Sequence, residues 1–145
     1  MTRILVGYDG SPHAKRAVDA AIQRAQASKG ELLVVTAIPN GVRGSSLSAM
    51  MPAGVELPKP LAGTFEDHAR ASLDEVVAKA KAAAVPARGE VHTGPVVDVL
   101  LAAAKEFGAE EILLGVKSFE GPDQHVGPHA AEIARRSKVP VVLVP

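Results

Sequence analysis

Residues able to do chemistry are concentrated in one stretch, Leu113 to Ala130. It carries Gly115, Gly121 and Gly127, the donors Lys117 and Ser118, and then Asp123, His125 and His129. Glycines beside a helix start let backbone N–H groups approach an anion, and a lysine or serine nearby adds side-chain donors. The stretch begins where an apolar strand, Glu111-Ile112-Leu113-Leu114-Gly115, ends. It closes where Gly127-Pro128 starts a helix, with proline at the first helical position. In an α/β fold such a junction lies at the carboxyl edge of the sheet, where ligands bind.

Other chemistry is weaker on the same residues. His125 and His129 are four apart and would share a helical face suited to a metal, but Gly127-Pro128 breaks a helix between them. They read as surface loop histidines, and no metal site is expected. His13, His68 and His92 are scattered. Ser11 or Ser118, a histidine and Asp9 make a triad only on paper, because no Gly-x-Ser-x-Gly elbow is present. No catalytic residue is expected. Glu66-Asp67 and Glu110-Glu111 read as solvated ends of elements. The chain has no Cys, which excludes disulfides and thiolate chemistry. Sixteen basic and sixteen acidic residues cancel, so no long-range field draws nucleic acid or an anionic membrane. The first residues are too short an apolar run for a signal peptide, and none approaches membrane-spanning length. A cytoplasmic protein is expected.

The elements that must position this loop follow from periodicity. Ile4–Tyr8 reads as a buried strand stopped by Asp9-Gly10. Ser11 caps a helix with Pro12 at its first position and Ala14, Ala17, Val18, Ala21, Ile22 and Ala25 on one face. Gly30 is expected to end it. Leu32–Ile38 is the second strand. Thr64 caps a second helix, with Asp67 at the capping-box position and Phe65, Ala69, Leu73, Val76, Val77 and Ala80 inward. Arg88–His92 is a short polar strand at a sheet edge. Gly94-Pro95 opens a third helix with Val96, Val99, Leu100, Ala103 and Phe107 inward, and Gly108 stops it. After the loop comes a last helix, with Ala130, Ile133 and Ala134 buried, and a fifth strand, Val139–Val144.

Pro39 to Gly63 is different: four Pro, four Gly, three Ser and the pair Met50-Met51 show no sustained period. It reads as an insertion over the sheet's edge, with the methionines either a contact surface or tucked onto the body. Strands alternating with helices predict a parallel sheet with right-handed crossovers. At 145 residues, with no repeat or boundary signal, one domain covering 1–145 is expected.

In this order of elements the chain resembles the universal stress protein family. The residues that carry the likeness are Ile4-Leu5-Val6-Gly7-Tyr8-Asp9-Gly10-Ser11, Gly94-Pro95, Ala109 through Gly115, and Gly127 through Ala130 to Val139–Val144. The likeness spans essentially the whole chain. It implies an α/β fold with a five-stranded parallel sheet in the order 3-2-1-4-5 and helices on both faces, adenine nucleotide alpha hydrolase-like. It further implies an adenine-side Asp at Asp9 and a base-contacting strand position at Ala37. The family divides into members that bind ATP through Gly-x2-Gly-x9-Gly-Ser/Thr after the fourth strand and members that bind no nucleotide.

Set against that motif, Gly115 fits the first glycine, and Ser118 stands where the second belongs. Gly127 follows Gly115 by twelve residues instead of thirteen, and Pro128 replaces the Ser/Thr. Ser118 restricts positive φ, and Pro128 supplies neither an N–H nor a hydroxyl. The helix start is kept while the anion site is weakened. Two functions follow from the resemblance. One is a non-enzymatic stress-response protein without the standard ATP loop and without a cofactor, acting on protein partners. The other is an ATP- or AMP-dependent switch using Asp9, Ala37, Gly115, Lys117, Ser118 and Gly127. Val141, Val142, Leu143 and Val144 form an apolar edge strand. The resemblance implies that this strand pairs with its copy in a homodimer.

Overall fold

The computed structural model describes residues 2–40, 64–117 and 127–145. Nine elements follow one another: β1 (Arg3–Gly7), α1 (Pro12–Ser28), β2 (Glu31–Ile38), α2 (Phe65–Ala82), β3 (Ala87–Thr93), α3 (Val96–Phe107), β4 (Glu111–Gly115), α4 (Pro128–Arg136) and β5 (Val141–Val144). The strands form one sheet in the order β3-β2-β1-β4-β5. All four pairings are parallel, with Leu5 of β1 set between Leu33 of β2 and Ile112 of β4. The expected α/β class and strand order are therefore those of the molecule.

Burial on both faces explains why the central strands read as continuous apolar runs. Ile4, Val6, Leu32, Val34 and Leu113 pack toward α1 and α2. Their neighbours Leu5, Leu33, Val35, Ile112 and Leu114 pack toward α3 and α4. Alternation along each strand thus divides one apolar run between two cores. Among the described residues no helix is long and apolar enough to cross a membrane.

Local signals hold at most helix ends. Ser11 Oγ accepts from the Ala14 N–H, and Pro12 is the first helical residue. Thr64 and Asp67 form the full capping box: Thr64 Oγ1 accepts from the Asp67 N–H at 3.0 Å, and Asp67 Oδ2 accepts from the Thr64 N–H at 3.2 Å. Those bonds, the backbone one foremost, hold the Asp67 carboxyl below the usual carboxylate range. Gly108 ends α3 in the left-handed conformation.

Four expectations are corrected. α3 is rotated: Val97 and Ala104 are buried with Leu100, Ala103 and Phe107, while Val96 and Val99 are only partly covered. A valine pair at both 96 and 99 hid which of two neighbouring stripes faces the sheet. In the short α4 only Ile133 is buried, and Ala134 faces solvent. The fifth strand begins at Val141, two residues later than read, because Pro140 precedes it without an N–H to pair. Lys29, not Gly30, takes the left-handed cap of α1, at φ 55°.

Gly30 has another task. A Cβ there would lie 2.4 Å from the Thr2 carbonyl oxygen, so only glycine lets the chain entering β2 pass that close to the start of β1. Thr2 O accepts from the Glu31 N–H at 2.8 Å across this contact. The Pro39–Gly63 insertion, including Met50-Met51, falls outside the described residues beyond Asn40. We predict that Gly30→Ala loses about 1–3 kcal/mol of stability by overpacking against backbone. Lys29→Gly should gain roughly 0.5–1 kcal/mol by relieving the left-handed side-chain strain. Urea unfolding of both variants checks this, and the reverse order would return the cap to Gly30.

Candidate functional site

β1 and β4 are neighbours whose following helices leave on opposite faces of the sheet. Where strand order reverses, a crevice opens beyond the carboxyl ends. Here it has a volume of about 620 Å³. That lies within the usual range for small-molecule sites, about 300–1,000 Å³. Val35, Leu100, Leu114, Val116 and Ile133 give it apolar walls, and Tyr8, Asp9, His13, Lys117 and His129 add polar groups.

The β1–α1 turn is built by Asp9. Its Oδ1 accepts from the Ser11 N–H at 2.9 Å and from the Ser11 hydroxyl at 2.5 Å. This is a side-chain-closed turn, and it sets the helix cap directly after it. Upstream, the Tyr8 N–H donates to Val35 O at 2.9 Å, and the Thr36 hydroxyl donates to Tyr8 O at 2.8 Å. The strand pair is thereby extended to the crevice floor. The turn reading of Asp9 and the ligand-side reading are compatible, since Asp9 is exposed and lines the crevice. Ser11 is not poised as a nucleophile: its hydroxyl donates to Asp9 and accepts from Ala14.

Gly115 closes β4 under the first turn of α1. A Cβ there would sit 2.2 Å from the His13 carbonyl oxygen and 2.6 Å from the Ala14 nitrogen. Both are backbone atoms, and neither can step aside cheaply. After Gly115, the Val116 N–H donates to Val144 O at 2.9 Å, carrying the β4–β5 pairing one residue further. Val116 is buried and Lys117 is exposed at the crevice.

Gly127 caps α4 with φ 91° and ψ 153°, a conformation essentially restricted to glycine. A Cβ there would meet nothing within 4 Å, so the requirement is conformational, not steric. Its carbonyl accepts from the Ala131 N–H at 3.1 Å. Pro128 is the first helical residue, and Gly127 brings no side-chain cap. Gly115 and Gly127, the two glycines that bound the loop, are thus each required by the fold itself.

Asp9, Ala37, Gly115, Lys117 and Gly127 all line the one crevice. Ser118, Asp123 and His125 lie outside the described residues. The helix that carries His129 begins at Pro128, with Gly127 as its cap. Among the described residues, no group of three or more His, Asp or Glu is placed to hold a metal. His13 and His129 were read as surface or scattered residues, yet both line the crevice. A signal for them existed: Pro-His-Ala occurs at 12–14 and again at 128–130, each time opening a helix.

The profile of the universal stress protein family matches residues 1–145. The chain belongs to the universal stress protein family. A universal stress family protein from Burkholderia pseudomallei is 26% identical over 99% of this chain and 96% of its own, with a TM-score of 0.73. A universal stress protein in complex with cAMP is 29% identical over 99% of this chain and 95% of its own, with a TM-score of 0.71. The universal stress protein from Archaeoglobus fulgidus in complex with dAMP shares the fold, with a TM-score of 0.73 at 18% identity, over 100% of this chain and 98% of its own. No curated protein matches the chain in sequence. The adenine nucleotide alpha hydrolase-like α/β fold implied by the resemblance is the one this universal stress protein has.

Gly115→Ala should destabilise this universal stress protein by about 1–3 kcal/mol or more through backbone overlap. Gly127→Ala should cost about 1–3 kcal/mol through strain alone. Both losses should appear in ligand-free thermal unfolding. A Gly115→Ala protein as stable as the parent would mean that α1 does not rest on β4 there.

Proposed function

We propose that this universal stress protein is a non-enzymatic, cytoplasmic, single-domain regulator that takes a small adenine nucleotide carrying one phosphate. In this reading it lacks the loop needed to hold ATP in the family's usual way. The supporting observation is that Asp9, Ala37, Gly115, Lys117 and Gly127, distant in sequence, surround one crevice. Its size suits one nucleoside with a short phosphate. A 29% identical protein in complex with cAMP supports the same ligand class.

The crevice suggests how each end of the ligand is treated. On the β2 side, Val35 and Ala37 offer an apolar wall for a base. Asp9 is the only carboxylate among the described lining residues and can accept from a ribose hydroxyl or an exocyclic amine. On the β4 side, exposed Lys117 supplies a cation for the phosphate. Pro128 has no N–H to give at the start of α4, which removes one of the donors a polyphosphate needs. This favours the switch reading in a restricted form, with a monophosphate instead of a triphosphate.

The second part of the proposal is a homodimer through β5. Each of Val141, Val142, Leu143 and Val144 is half-buried. Val142 and Val144 rest on one core, and Val141 and Leu143 on the other. β5 ends the sheet, so its outer backbone edge suits pairing with a second copy. The opposite edge is more polar: β3 exposes Arg88 and Thr93, and Arg70 Nη1 donates to Gly89 O at 3.0 Å.

In calorimetric titration, AMP should bind at micromolar concentration and ATP more weakly. Lys117→Ala and Asp9→Ala should each weaken AMP by about tenfold, the scale of one charge-assisted hydrogen bond. Absence of AMP binding would overturn the nucleotide reading, and no effect of either substitution would displace the site. Separately, Val142→Lys should convert dimers to monomers in sedimentation while circular dichroism confirms the fold. A folded variant that stays dimeric would place the interface elsewhere.

A further inference from the structure

We propose that His13 and His129 together recognise the phosphate of the bound nucleotide, making affinity for a nucleoside monophosphate rise as pH falls. This rests on the reading that the crevice binds an adenine nucleotide. Ser11-Pro12-His13-Ala14 opens α1, and Gly127-Pro128-His129-Ala130 opens α4. In both, proline is the first helical residue and histidine the second. The two helices follow β1 and β4, the neighbouring central strands, so the same triplet flanks the crevice from two sides. His13 is half-exposed and His129 exposed, leaving both accessible to a solute. His92, by contrast, is engaged with Glu90 at 2.8 Å.

The chemistry fits what the loop has lost. Pro128 removes a backbone donor and a hydroxyl from the motif. An imidazolium restores a charge-assisted N–H donor at the neighbouring position. Among the described residues, the other titratable groups lining the crevice are Tyr8, Asp9 and Lys117. β2 and α3 contribute only Val35, Ala37, Val96 and Leu100 to it. On the outer side, Asp98 of α3 and Glu132 of α4 both accept from Arg136, at 3.1 and 3.3 Å. Among the described residues, Asp9, with one oxygen held by Ser11, is therefore the carboxylate that lines the crevice together with His13 and His129.

Histidine is the side chain that ordinarily changes charge between about pH 5 and 8. An imidazolium donates a charge-assisted hydrogen bond to a phosphate that a neutral imidazole does not. A phosphate monoester behaves oppositely, gaining charge above about pH 6. Ligand titration alone would strengthen binding to a fixed cation with rising pH, so the sign of the effect separates the two.

The test is calorimetric titration with adenosine, AMP and inorganic phosphate near pH 6 and near pH 8, using the parent, His13→Gln, His129→Gln and the double variant. Circular dichroism checks that each is folded. The AMP-to-adenosine affinity ratio should be about tenfold or more near pH 6 and shrink severalfold near pH 8. Each single variant should lower the acid-side ratio, and the double variant should lose the fall with pH. A ratio that is constant or rises with pH in the parent overturns the proposal, as does a double variant that keeps the parent's pH dependence. If neither adenosine nor AMP binds, the nucleotide reading fails and this inference with it. If adenosine binds but AMP gains nothing at acid pH, only the histidine inference fails. Phosphate binding that depends on both histidines without adenosine binding would keep the anion site and remove the nucleotide.

Discussion

The contact on which the site depends is the backbone of α1 resting on Gly115. His13 O and Ala14 N lie where a side chain on that residue would begin. This contact joins the helix that leaves β1 to the end of β4, the strand beside it. It sets how far the first turn of α1 stands from the β4 carboxyl end, and so how the crevice is shaped on that side. A larger residue would push α1 off the sheet and separate Asp9 and His13 from Lys117.

Around that contact, the sheet imposes the rest. Parallel strands need crossovers, and crossovers of one hand place α1 and α2 on one face and α3 and α4 on the other. The central strands then have no face left for solvent, which is why their residues are almost uniformly aliphatic. Polar groups are pushed to the strand ends, the edge strand β3 and the outer faces of the helices. No polar or charged residue is buried among the described residues. At the carboxyl edge, turns, helix starts and an apolar-walled crevice meet.

At that edge, the same residue serves two masters in several places. Asp9 closes a turn and faces the crevice. Gly115 fits the first glycine of a phosphate motif and Gly127 stands one residue short of its last, but one admits a helix backbone and the other adopts a cap conformation open to glycine. Their presence is explained before any ligand is considered. What speaks for a ligand is the apolar wall formed by Val35, Leu114 and Ile133 beside cationic and imidazole side chains.

Much of this was legible in the residues themselves. Period-2 and period-3.6 patterns, the Ser11-Pro12 cap, the Thr64–Asp67 box and the Gly108 stop are local, and local chemistry decides them. The strand order and the roles of Asp9 and Ala37 come from the family resemblance, whereas Gly115, Lys117 and Gly127 stand out by residue type beside a helix start. What failed were questions of contact. Gly30 reads as a helix stop until Thr2 is seen against it. Val96 and Val99 read as core because the stripe of α3 is ambiguous by one position. His13 reads as scattered and His129 as a surface loop histidine, because 116 residues separate them in the chain. By itself the sequence determined the elements and most of their caps, since these rest on backbone preferences within a few residues. Only the tertiary structure decided which side chains share the crevice and why its glycines are glycines. Those are properties of atoms brought together by packing, to which spacing along the chain is blind.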